Sequence, residues 1–84
     1  MALSYKQQLV FTDDRKKSVT VSIGDIVEIK GHEYISHKDV EIRGRIEDFD
    51  LGRWKEIIIV NEITNEEYHF HLDQIEEVEL VIFK

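Results

Sequence analysis

Between Val40 and Glu47 the chain alternates without a break. Val40, Ile42, Gly44 and Ile46 take one parity, and Glu41, Arg43, Arg45 and Glu47 take the other. Two is the β-strand period, so the first set faces a core and the four charges face water. Charges of alternating sign pair readily along such a solvated face. Gly44, in mid-strand with no side chain, predicts a sharp bend or a close backbone approach, as at a barrel corner.

The same period recurs along the chain. Val19-Thr20-Val21-Ser22-Ile23 alternates, Gly24-Asp25 punctuates, and Val27-Glu28-Ile29 resumes with Ile26 as an extra apolar residue, the signature of a bulge or bend. Glu56-Ile57-Ile58-Ile59-Val60 is a β-branched run suited to a strand covered, at least partly, on both sides. Glu67-Tyr68-His69-Phe70-His71-Leu72-Asp73 alternates again. An interruption is expected at Asp73-Gln74-Ile75, before Val78 to Phe83. The stretches 48–53 and 61–67 read as turns.

Lys6–Phe11 and Val19–Ile23 flank a polar tip and make a hairpin, although a helical turn over Ser4–Leu9 with Ser4 as N-cap competes for the start. No segment holds a helical period. The expected fold is all-β: residues 1–84 as one small barrel of five or six bent strands. The expected filling is Val19, Val21, Val27, Ile29, Val40, Ile42, Ile46, Ile57, Ile59, Tyr68, Phe70, Leu72, Ile75, Val78 and Leu80.

Gly24-Asp25-Ile26-Val27-Glu28-Ile29 resembles the first strand of SH3-like and KOW-type barrels. The run Val40-x-Ile42-x-Gly44-x-Ile46-x-x-Phe49-Asp50, then Ile57–Val60, then Tyr68-x-Phe70-x-Leu72-Asp73-x-Ile75-x-x-Val78-Glu79 is similar to the bent-strand core of Sm-like barrels. Within that class it resembles YolD-like and WYL-type domains over residues 38–80. The helical N-terminal region of the former is missing, as are the Trp-Tyr-Leu signature and basic ligand residues of the latter. The resemblance therefore implies a fold and carries over no binding residue.

Composition narrows the function. The net charge is −7, and it is uneven. Residues 1–45 carry eight Lys/Arg against seven Asp/Glu, whereas residues 46–84 carry three against eleven, a net −8. Such a surface repels a phosphate backbone and suits a partner with a basic surface. The expected contact residues are Glu66, Glu67, His69, His71, Asp73, Glu76, Glu77 and Glu79.

Two other site readings remain open. Arg43, Arg45, Arg53 and Lys55, with Trp54 as a stacking platform, would serve RNA or DNA. For Trp54 the competing expectation is a plug over one barrel end. His69 and His71, on one face of a strand, would chelate a metal, with Glu67 or Asp73 adding a carboxylate and His32 and His37 folding over from the loop 31–39. A solvated strand face accounts for the same residues.

There is no cysteine, no Gly-x-Ser-x-Gly context and no Gly-rich phosphate loop. The expectation is a protein that is not an enzyme and holds no cofactor. Its N-terminus lacks the long apolar core of a signal peptide, and a cytoplasmic location is expected. The apolar end 78–83 is an edge strand, either covered by the N-terminal segment or pairing with a second copy.

Overall fold

A computed structural model describes residue 3 and residues 7–81. Six strands occur in it: β1 (Gln8–Thr12), β2 (Ser18–Ser22), β3 (Ile26–Glu33), β4 (Lys38–Asp50), β5 (Glu56–Asn61) and β6 (Glu67–Leu80), with no helix among the described residues. The fold is all-β and its centre is a small closed barrel. Four strands, β3-β4-β5-β6, close it, and β1 and β2 form a separate hairpin against it. Gln8 and Leu9 belong to β1, while Ser4, the proposed helix N-cap, lies outside the described residues.

Gly44 is where β4 turns the corner. A Cβ at that position would collide with the carbonyl oxygen of Val60 and lie 2.7 Å from Ile59 Cγ2, so only hydrogen fits where β4 presses on β5. Beyond the corner β4 runs three residues further than the sequence suggests. Ile46 pairs with Ile59, but Asp48 pairs with Ile58, leaving Glu47 as the extra residue of a bulge. That insertion reverses the parity, turning Phe49 inward beside Ile57, and Phe49 is buried. The turn expected at 48–53 therefore begins only after Asp50.

β6 likewise runs unbroken through the interruption expected at Asp73-Gln74-Ile75, for 14 residues. Its first part, Glu67–His71, pairs with β5, and Phe70–Leu80 pairs with β3, so this one bent strand closes the barrel. The bend is permitted by Gly31, where a Cβ would stand 2.6 Å from the Gln74 carbonyl oxygen and 2.9 Å from Ile75 Cα. Register shifts on both sides of Gly31 absorb the surplus residues of β6.

The core joins hairpin and barrel. Val21 of β2 is buried together with Val27, Ile29, Ile46, Phe49, Ile57, Ile59 and Phe70, while Val19, Val40, Ile42, Tyr68, Leu72, Ile75 and Val78 pack around them half-buried. Leu80 departs from expectation. It is 37% exposed, at the end of β6 where the barrel no longer covers it. Val60 is buried on the face of β5 opposite Ile57 and Ile59, as a strand covered on both sides requires.

Candidate functional site

The β3–β4 hairpin turn is shorter than its polar sequence suggests. Glu33 pairs with Lys38 and His32 with Asp39, so the turn comprises only Tyr34–His37. Glu33 organises it. The residue is only 3% exposed, and its carboxylate accepts the backbone N–H of Ile35 (3.2 Å), of Ser36 (2.7 Å) and, across the barrel seam, of His69 (3.0 Å). Burial alone would raise the Glu33 pKa. The hydrogen bonds from the Ser36 hydroxyl and from the three amides outweigh it and hold the carboxyl below its ordinary value.

This clamp folds the turn onto β6, and what it delivers there is Tyr34 rather than a histidine. The phenol ring stacks on His71 (centroids 4.2 Å apart, planes inclined 19°) and meets His69 edge-on at 5.9 Å. The Tyr34 hydroxyl donates to Glu56, and that bond, with desolvation, pushes its pKa from 10 up to about 12. His32 instead bonds Asp39 at 3.0 Å, and His37 lies 6.4 Å from His32, ring to ring. Among the described residues no group of three or more His, Asp and Glu side chains is placed to hold a metal ion.

Tyr34 thus takes His69 and His71 partly out of solvent, and both are half-buried. Glu66, Glu67, Asp73, Glu76, Glu77 and Glu79 are all exposed, but the bend of β6 at Gly31 divides them. Glu66, just before β6, accepts the Tyr68 hydroxyl at 3.2 Å, and Glu67, on the half that pairs with β5, lies 3.4 Å from His69. Glu76, Glu77 and Glu79 lie on the half that pairs with β3. There Glu79 stands directly opposite Glu28, a like-charge cross-strand pair. Arg43 pairs with Glu28 from the other side, and Lys30 sits opposite Glu77, within 3.9 Å of Glu76. That leaves Glu79 with no cation opposite it.

Beside this patch runs a groove of about 440 Å³ between the hairpin and β6. Phe11, Val19, Ile75 and Val78 give it apolar surface, and Asp13, Glu76, Glu77 and Glu79 give it acidic surface against Lys17 alone. Nothing in the alternating pattern of either strand announces this groove, because it arises from how the hairpin docks on β6.

The five residues of the nucleic-acid reading are not gathered. Arg43 is paired with Glu28, and Arg45 with Glu47 (3.0 Å) and Glu62 (3.9 Å). Arg53, Trp54 and Lys55 belong to the loop beyond the far end of β4, with Arg53 over the Trp54 ring at 5.4 Å. Trp54 is 59% exposed and so does not plug a barrel end, whereas Phe49 near the end of β4 is buried.

Fold and site together define a small all-β barrel flanked by a hairpin, with an acidic groove at their junction. The chain matches no family model, no curated protein and no solved structure. Among the described residues no helix is long and apolar enough to cross a membrane.

Proposed function

We propose that this chain is a non-catalytic, cytoplasmic interaction module, a small barrel of SH3-like or Sm-like type, that binds a partner protein with a basic surface. The Gly24-Asp25 turn into β3 and the bent strands β4 and β6 support the barrel type. The observation that carries the binding reading is the opposition of Glu28 and Glu79 beside Glu76 and Glu77. Glu28 is held by Arg43, but Glu79 has no cation opposite it, and an incoming lysine or arginine would supply one as it forms its own pairs.

The test is capture of partners by the tagged chain at low ionic strength, followed by a wash at about 0.5 M salt, where exposed charge pairs are screened within a few ångströms. Retained proteins should be basic, should elute in the wash, and should be lost with the double variant Glu76→Lys/Glu77→Lys. Retention indifferent to both salt and charge reversal would refute the reading.

A second reading rests on the exposed Trp54 with Arg53 against its ring. An aromatic face and a guanidinium are the pair that single-stranded nucleic acid stacks upon. It requires a mobility shift with single-stranded probes at about 50 mM salt that Trp54→Ala abolishes, with a steep salt dependence. The absence of any shift would remove it.

A further inference from the structure

We propose that the groove between β2 and β6 binds an extended, lysine- or arginine-bearing segment of the partner as an added β-strand. The inference rests on the acidic-face reading and specifies how the partner is held. Its basis is the backbone. Opposed residues of an antiparallel ladder alternate between pairs that exchange both hydrogen bonds and pairs that exchange none.

On β6 the phase is set by Val81, whose N–H donates to the Ile26 carbonyl at 2.9 Å. The register then makes Glu28/Glu79 and Lys30/Glu77 bonded pairs, and Val27/Leu80 and Ile29/Val78 unbonded ones. Val78 and Leu80 therefore direct N–H and C=O away from β3. β5 pairs only as far as His71, so among the described residues Val78 and Leu80 have no ladder partner on that side.

On β2 the phase is set by the Asp13 N–H, which donates to the Lys17 carbonyl at 3.0 Å. Phe11/Val19 and Leu9/Val21 are then bonded, while Ser18, Thr20 and Ser22 point away from β1. Ser22 agrees with this phase. Its N–H is taken by the Asp25 carboxylate at 2.8 Å and its carbonyl by the Asp25 N–H at 3.1 Å. Ser18 and Thr20 meet no ladder partner among the described residues, and β2 is the hairpin strand that lies against β6.

Two strand edges with open backbone groups thus meet at one groove, which Ser18 lines from β2 and Val78 from β6. Exposed edges of this kind recruit strands, and charge decides which. Asp13, Glu76, Glu77 and Glu79 against Lys17 repel a second copy of a chain carrying −7, and they attract a cationic one. A strand alternating apolar and basic residues puts one side on Val19, Ile75 and Val78 and the other toward the carboxylates.

The experiment titrates the full chain with three synthetic peptides: an alternating lysine–valine peptide, the same peptide N-methylated at every second residue, and an alternating glutamate–valine peptide. Calorimetry reads affinity, amide hydrogen exchange reads Val78 and Leu80, and light scattering reads mass. The lysine–valine peptide should bind, slow exchange at both amides and leave one chain per complex. N-methylation should cost about tenfold or more in affinity, and the glutamate–valine peptide should not bind.

Equal binding of the N-methylated peptide, with exchange at Val78 and Leu80 unchanged but binding lost in Glu76→Lys/Glu77→Lys, would overturn strand addition and leave the acidic-face reading standing. Binding unaffected by that charge reversal would overturn both. Protection of Val78 and Leu80 only on formation of an oligomer, without peptide, would assign the edges to a second copy and overturn the proposal.

Discussion

The ring of Tyr34 lies flat on His71 at 4.2 Å, and its hydroxyl is held by Glu56. One side chain thereby ties the β3–β4 turn to both β5 and β6. Because the folded-state pKa of Tyr34 is raised to about 12, the folded state keeps its proton where the unfolded chain loses it. The resulting stability is fully present below pH 10 and is lost as pH rises toward about 12. Urea unfolding across that window should show the decline, and Tyr34→Phe should flatten it while costing about 1 kcal/mol at neutral pH. Tyr68, raised by desolvation and then by Glu66, keeps a smaller decline in the variant.

Glu33 works at the opposite end of the pH scale. Its folded-state pKa is lowered, so its contribution is present above its unfolded value of 4.5 and fades as pH falls through the folded one. Glu33→Ala leaves the amides of Ile35, Ser36 and His69 without their acceptor and should cost about 2–3 kcal/mol at pH 7. The loss should shrink in acid. A Glu33→Ala protein as stable as the parent at pH 7 would contradict the clamp.

Gly44 and Gly52 offer a matched comparison. Gly44→Ala drives a methyl into the Val60 carbonyl and Ile59, backbone and packed core that do not yield, and should cost about 2 kcal/mol or more. Gly52→Ala meets only the end of the Asp50 side chain at 3.3 Å and should stay within about 0.5 kcal/mol. Urea midpoints of the two variants decide the point. Equal losses would mean β4 does not turn its corner on Gly44.

Trp54 stands in water, so its fluorescence should sit near the emission of a solvated indole in the folded protein. It should shift little on unfolding, and Trp54→Ala should move stability by less than about 0.5 kcal/mol. A large red shift on unfolding would instead place the ring inside the barrel.

The strands were legible because their signals are local: alternation in Val40–Glu47 and Tyr68–Leu72 names their faces, and the β-branched run Ile57–Val60 names a strand covered on both sides. What was not legible depends on register. Glu47 reads as one more outward charge, and only pairing with β5 makes it the bulge that turns Phe49 inward. Asp73-Gln74-Ile75 reads as a break because its continuity depends on Gly31 of another strand.

Glu33 was the residue of the site most fully hidden, within a stretch, 31–39, that reads as a nine-residue loop. One local signal did exist. A carboxylate two and three residues before free amides can cap its own turn, and Glu33 does so for Ile35 and Ser36. The groove had no such signal, since the hairpin residues that line it end at Val19, more than fifty positions before Ile75.

The central claim is that carboxylates at the junction of the hairpin and β6 hold a cationic protein segment. The most direct measurement is the calorimetric affinity of the intact chain for the lysine–valine peptide as salt rises from about 0.05 to 0.5 M, for the parent and for Glu76→Lys/Glu77→Lys. The parent should lose affinity steeply with salt, and the variant should be weak throughout and nearly flat. Parent and variant giving one and the same salt curve would contradict it.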